Sequence, residues 1–311
     1  MQASARSTFS TLRLSELGEF GLLAELEQRG LVEAIADDAA LLPGRVVVTQ
    51  DLLLEGVHFR LDWTSWRDLG YKAAAVNLSD LAAMGATPER LLVALVLPPE
   101  TPLDAVLGLY EGLNEPALPI VGGDTSVGER VVVAVTAMGR SERVPGRGGA
   151  VPGDDLVVTG PLGASAAGLY ALRHGLEGHD ELVRAHLRPP HRVGAGELLA
   201  PSAHALIDLS DGIASDAARI AERSGCRLVI DVDRIPVAPG VAALGADEPF
   251  WTLGEDYELL AALPPGDPLA ETFEVVGHCE AGAPGVELLR AGEAVDLAGW
   301  DHFATWASPR R

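Results

Sequence analysis

Residues 68–88 read DLGYKAAAVNLSDLAAMGATP. Alanine and leucine dominate and no proline interrupts before Pro88. The stretch predicts a helix from Asp68 to Met84, with Gly85 as its C′ residue. It is apolar nearly all round, and a helix without a broad polar face is buried on more than one side. Upstream, Arg45–Gln50 (RVVVTQ) is a short apolar run that stops at Asp51, and downstream Leu91–Leu97 is another. Both have the length and β-branched character of strands. A buried helix between strands makes the chain α/β or α+β.

The alternation continues in both directions. Ser15 to Gly30 reads as a first helix with Ser15 as N-cap, and Leu103–Glu115 as another. Leu118–Val121 reads as a strand ending at Gly122-Gly123-Asp124, and Val131–Met138 as the strand after it. Composition then shifts. Arg140–Asp155 (RSERVPGRGGAVPGDD) is rich in glycine, proline and charge, and marks a boundary between a domain over residues 1–142 and a second over 150–311. In the second half, Leu156–Thr159, Leu206–Leu209, Arg227–Val232 and Tyr257–Ala262 read as strands. A small-residue turn, Gly160–Gly163, leads into a helix from about Ala164, and another helix runs to Ser224 with Gly225 as its cap.

Composition excludes several functions. The 311 residues carry 23 basic and 45 acidic side chains, a net charge of −22. So acidic a chain is not expected to wrap a nucleic-acid backbone. No apolar run reaches the roughly 18–20 residues of a membrane span. The opening MQASARSTFSTLRLSELGEF lacks the pattern of a signal peptide, and Cys226 and Cys279 alone make no disulfide framework. A reducing cytoplasm is the expected compartment. Lys72 is the only lysine. A Walker-A loop needs Gly-Lys-Ser/Thr and a protein-kinase site its own strand lysine, so phosphate chemistry here requires another scaffold.

Aspartates recur where apolar runs end: Asp51 after RVVVTQ, Asp124 after LPIVGG, Asp208 and Asp211 around ALIDLS. Asp37 and Asp38 precede Ala39–Leu42. Each alone is as readily a turn or cap residue. As a set, carboxylates without histidine or cysteine point to a hard, oxygen-loving cation, magnesium above all. Asp80 sits inside the buried helix, sharing a face with Asn77, where a carboxylate must be metal-bound or satisfied by a neighbour such as Lys72. Gly122-Gly123 and the turn before Ala164 are candidate anion-binding backbones. Arg147 is either a phosphate clamp or a solvated loop arginine. His58, in EGVHF, is either a substrate donor or base, or a structural histidine. Spacing carries the reading as far as metal-assisted phosphate chemistry.

In order along the chain stand GEFGLLAEL, DDAALL, TQDLLLEGVHF, YKAAAVNLSDLAAMGATP, VGGDTS, PGDDLVVTGPLGASAAGL, IDLSDGIASD, GEDYEL and GWDHF, from Gly18 to Phe303. Together they resemble the thiamine-monophosphate kinases, of the superfamily that includes aminoimidazole-ribonucleotide synthetase. The resemblance implies two domains, an N-terminal one that dimerises through its sheet and a C-terminal α/β one. Their cleft would hold ATP and thiamine monophosphate, and the activity implied is transfer of phosphate from ATP to that substrate, with several Mg²⁺ ions and a homodimer. By resemblance, Asp38, Thr49, Gln50, Asp51, Asp80, Asp124, Asp208 and Asp211 line the metal site. Gly123, Asp124, Arg147 and Ser210, with Tyr110, meet ATP, and His58, Glu255 and Trp300 meet thiamine monophosphate. The chain departs from the pattern at Ala36, where the family has glycine, at Thr49-Gln50-Asp51 for Ser-Thr-Asp, and at Leu253 for glycine. Glutamine at position 50 is harmless if that position ligates through its carbonyl and weakens one metal if it ligates through a hydroxyl. Selenophosphate synthetase-like and hydrogenase-maturation relatives use a cysteine near one terminus, which this chain lacks. A nucleotide-binding regulator would have no reason to retain the acidic set.

Overall fold

Val47, Thr49 and Leu53 are buried while Gln50 and Leu52 face outward, the two-residue period of a strand covered on one side. In the computed structural model, which describes residues 14–33, 37–244 and 249–295, this strand is β2 (Val46–Leu54). It pairs antiparallel with β5 (Val132–Arg140) along its whole length, from Val46↔Arg140 to Leu54↔Val132. β3 (Thr87–Leu97) pairs antiparallel with β5 on the other side, and β4 (Ile120–Val127) runs parallel to β3 at the edge. A short β1 (Ala40–Leu42) completes a five-stranded sheet of order β1-β2-β5-β3-β4.

One face of this sheet is covered by α2 (Trp66–Ala83), whose N-cap Ser65 accepts a hydrogen bond from the Asp68 amide. α3 (Leu103–Leu113) lies against α2 at very close range. A Cβ on Gly70 would stand 1.9 Å from the Leu109 carbonyl oxygen, and one on Gly112 1.9 Å from that of Arg67. Among the described residues of this unit, the other face of the sheet stays uncovered. Leu52 is 50 % exposed, and Gln50, Ala94 and nearly all of β4 face out.

The second sheet has seven strands: β6 (Asp155–Val158), β7 (Ala205–Asp208), β8 (Arg227–Asp231), β9 (Leu259–Leu263), β10 (Glu274–Glu280), β11 (Gly285–Arg290) and β12 (Glu293–Val295). Their order is β12-β11-β8-β10-β6-β9-β7, antiparallel throughout except for β8 beside β11. Four helices accompany them: α4 (Ala164–His174), α5 (Asp180–Leu187), α6 (Val193–Leu199) and α7 (Ile213–Ser224). α7 seals one core with Ile213, Ala217 and Ile220 against β6–β9 residues. Ala82 and Ala83 of α2 join Leu199, Leu206 and Leu259 in another. α2 is therefore wedged between the two sheets, which is why it has no broad solvent-exposed face.

Residues 36–299 form one compact unit. In the other unit the described residues form α1 (Leu14–Gln28), broken at Gly18 and ended by Gly30 in the left-handed region.

Two expectations change. Asp51 does not end its strand: β5 pairs with β2 three residues further, so Asp51 is a mid-strand residue. Nor does the fourth strand end at Gly122, since β4 runs through Gly122-Gly123-Asp124 to Val127 beside β3.

Candidate active site

β2 and α2 bring their polar residues together by periodicity. Thr49 and Asp51, two apart, share the inner face of β2, and Asn77 and Asp80, three apart, share the facing side of α2. The Thr49 hydroxyl donates to Asp80 Oδ2 at 2.5 Å, and the Asp51 amide donates to Asn77 Oδ1 at 2.9 Å. Asn77 is fixed in turn by donating its Nδ2 to the Ala73 carbonyl. One helical position away from Asp80, Ser79 donates across to Asp208 Oδ2 at 2.8 Å, at the end of β7 in the second sheet. α2 thus ties the first sheet, through Thr49 and the Asp51 amide, and the second, through Asp208, to one point.

Asp38 closes the cluster. One carboxylate oxygen each from Asp38, Asp80 and Asp208 lie within 4.8 Å of one another. Asp208 is only 2 % exposed. Burial first, then the charges of Asp51, Asp208 and Asp38, push the Asp80 carboxyl well above its ordinary range. Burial, followed by Asp38, does the same to Asp208. Three crowded carboxylates with hydroxyl neighbours and no nitrogen or sulfur donor form the donor set of a hard divalent cation. The residues fit magnesium.

Arg147 is not a solvated loop cation. Its guanidinium donates to Asp38 Oδ1 at 2.7 Å, its amide to Asp37 Oδ1 at 2.8 Å, and its side chain is mostly buried. Burial opposes its charge, but Asp38 outweighs burial and holds it above its ordinary value. Lys72 does not serve Asp80. It reaches Glu255 Oε1 at 3.2 Å, while His186 Nδ1 stands 3.3 Å from Oε2. Burial pushes the Glu255 carboxyl up, yet Lys72 and then His186 outweigh it and hold it well below the usual carboxylate range.

The remaining candidates are placed as follows. Asp211 pairs with Arg219, and its amide donates to the buried Asp216 at 3.0 Å, so its carboxylate is engaged outside the trio. Gln50 stands on the outer face of β2, opposite Thr49. Asp124 is in register with exposed Ala94 on the open edge strand, and its Oδ1 accepts from the Thr125 amide at 2.9 Å. Gly123 is irreplaceable in its place: a Cβ there would lie 1.7 Å from the Val93 carbonyl oxygen. The Ser210 carbonyl accepts from the Glu255 amide at 2.8 Å. His58 Nδ1 accepts from the Leu54 amide at 2.9 Å in the turn after β2. Tyr110, on α3, packs against the core between α2 and the first sheet, and Trp300 lies outside the described residues.

The start of α4 is no open anion site. Gly163 N donates to Asp256 Oδ2 at 2.8 Å, so the helix N-terminus is already capped by a buried carboxylate. Burial outweighs those amide bonds and lifts Asp256 to about 7. The sequence reading also missed the ion pair of Arg192 with buried Glu258, whose Oε2 accepts from Thr159 at 2.7 Å. The acidic GEDYEL segment was its only signal.

Two family models match the chain: AIR synthase related protein, N-terminal domain, over residues 36–141, and the corresponding C-terminal domain over 151–285. A thiamine-monophosphate kinase of Mycobacterium tuberculosis is 38% identical, with 93% of each chain covered. That of Salmonella typhimurium is also 38% identical, covering 93% of this chain and 99% of its own. Among solved structures, AaThiL complexed with AMPPCP and TMP superposes with a TM-score of 0.86 at 32% identity, over 94% of this chain and 100% of the other.

Proposed function

The chain belongs to the thiamine-monophosphate kinase family, and on that premise we propose that it transfers the γ-phosphoryl group of ATP to thiamine monophosphate, giving ADP and thiamine diphosphate. The observation that carries this reading is the meeting of Asp38, Asp80 and Asp208 at one buried point between the two sheets. A phosphate oxygen of thiamine monophosphate attacks the γ-phosphorus, a new P–O bond forms, and the bond to the β-phosphate oxygen breaks in line. A phosphate monoester is largely ionised at neutral pH, its second pKa being about 6, so little acid–base help is needed. The obstacle is the meeting of two polyanions.

Magnesium held by Asp38, Asp51, Asp80 and Asp208, with Thr49 beside them, would supply charge neutralisation; Gln50 would join through its backbone carbonyl, Asp211 on release from Arg219, and Asp124 from a second copy. Arg147, with its planar fork beside the cluster, and Gly123, Ser210 and Tyr110 are assigned to ATP. His58, Glu255 and Trp300 are assigned to thiamine monophosphate. Residues 1–142 and 150–311 act as the two halves of the enzyme, in the cytoplasm.

A homodimer is part of the same reading. The uncovered face of the first sheet presents Leu52, Val96 and Met138 beside Ala94 and Ala134, an apolar area that a second copy would cover. Asp124 stands on this face, turned from the cluster of its own chain, and a second copy would bring it to a site.

ADP release, coupled to a spectrophotometric readout, tests the assignment. Release should require both thiamine monophosphate and a divalent cation, and aminoimidazole precursors should give none. Turnover of those precursors instead would move the chain to another branch of the superfamily.

A further inference from the structure

Glu255 is held in a way that a structural ion pair does not require. Gly254, Glu255 and Tyr257 all have positive φ, at 80°, 58° and 51°. Such values cost free energy in non-glycine residues and persist only where the surroundings enforce them. Here the enforcement is visible. The Glu255 amide donates to the Ser210 carbonyl, Lys72 and His186 each address one carboxylate oxygen, and His186 Nδ1 also lies 3.0 Å from Ser165 Oγ. Two of these contacts, from α2 and α5, reach the carboxylate itself; the turn after β7 holds the Glu255 backbone, and Ser165 of α4 touches His186 behind it.

Exposure separates the roles. The Lys72 and His186 side chains are 4% and 5% exposed, whereas that of Glu255 is 30% exposed. The two supporting groups are closed to any ligand, while the Glu255 side chain they hold is partly open. A pair that served stability alone could be replaced by two apolar groups at no loss. Thiamine monophosphate offers what an anchored acceptor binds: an exocyclic amine on its aminopyrimidine and a cationic thiazolium.

Resting on the substrate role assigned above to Glu255, we propose that Lys72 and His186 are positioning residues that fix Glu255 as the acceptor for the organic part of thiamine monophosphate. They act on recognition of that substrate and not on the triphosphate end.

Steady-state constants for both substrates, measured on the full chain with melting temperatures alongside, test this. Glu255→Gln should raise KM for thiamine monophosphate by at least about tenfold, Lys72→Met by about tenfold and His186→Gln by about threefold. KM for ATP should stay within about twofold, a split that general loosening of the fold would not produce. The double variant Lys72→Met/Glu255→Gln buries no lone charge. Its KM should equal that of Glu255→Gln alone, because Lys72 acts only through Glu255. If Glu255→Gln leaves KM unchanged, the substrate role of Glu255 is wrong. If Glu255→Gln raises it but the Lys72 and His186 variants do not, or if the double variant multiplies the two losses, the positioning role is overturned.

Discussion

Asp80 and Asp208 keep their protons to higher pH than free carboxyls because burial first, then the charge of Asp51 on Asp80 and of Asp38 on Asp208, opposes ionisation. A carboxyl whose folded pKa lies above its unfolded one binds its proton more tightly when folded, so stability falls as pH rises between the two values. A bound cation reverses this by favouring the ionised forms. Magnesium at a hundredfold excess over its Kd should therefore raise stability by about 2.7 kcal/mol, read as a melting shift of several degrees. Asp208→Asn should melt higher than wild type without metal, lose most of that shift and lose most activity; a full shift in this variant removes Asp208 from the site. Asp256 gives a second, metal-independent window. Its folded value of about 7 against an ordinary 3.8 makes the melting temperature fall as pH rises from 4 to 7, and Asp256→Asn should flatten that slope. An unchanged slope would assign the decline to other groups. Asp38, Asp80 and Asp208 were legible in the sequence because carboxylates stand out inside apolar segments. Lys72 and Asp256 were not, because their partners, Glu255 and Gly163, lie 183 and 93 residues away.

α2 shows the same division at the scale of elements. Its extent, its Gly85 stop and its burial follow from local composition, and the wedge between two sheets explains why it has no broad solvent-exposed face. Its close approach to α3 depends on glycines that local composition does not explain. Gly112→Ala should push the helices apart, since its Cβ would fall 1.9 Å from the Arg67 carbonyl oxygen. The expected loss is about 1–3 kcal/mol by denaturant titration, with a lower kcat as α2 carries Asp80 with it; wild-type stability would mean that the helices yield freely. Strand limits were read less well. After Asp51 the sequence continues Leu52-Leu53-Leu54, with no alternation to show which face is covered, and only pairing with β5 reveals that the strand goes on. β10, β11 and β12 escaped notice altogether. β10 is set beside β6, more than a hundred residues earlier, and such pairing leaves no local signature.

At the scale of the molecule, the acidic set divides between two faces of one sheet. Thr49 and Asp51 face α2 and the buried trio, while Asp124 is in register with Ala94 on the uncovered apolar face. A site that uses both from one chain would have to reach through the sheet. In a two-fold dimer closed on that face, Asp124 of one copy instead stands against the second copy, and each site draws residues from both chains. This arrangement makes a quantitative prediction. Asp124→Asn and Asp80→Asn should each be inactive as pure proteins. Refolded together from an equimolar denatured mixture, about half the dimers are mixed, and in each mixed dimer one of the two sites has both native residues. Activity should recover to about a quarter of the wild-type value, and each parent refolded alone should remain inactive. Simple mixing without unfolding should give slow recovery at the rate of subunit exchange. If light scattering finds a mixed sample that is dimeric yet inactive, Asp124 serves its own chain and the shared-site arrangement is wrong. If both parents and mixture are monomers of 32.5 kDa, the apolar face has some other occupant.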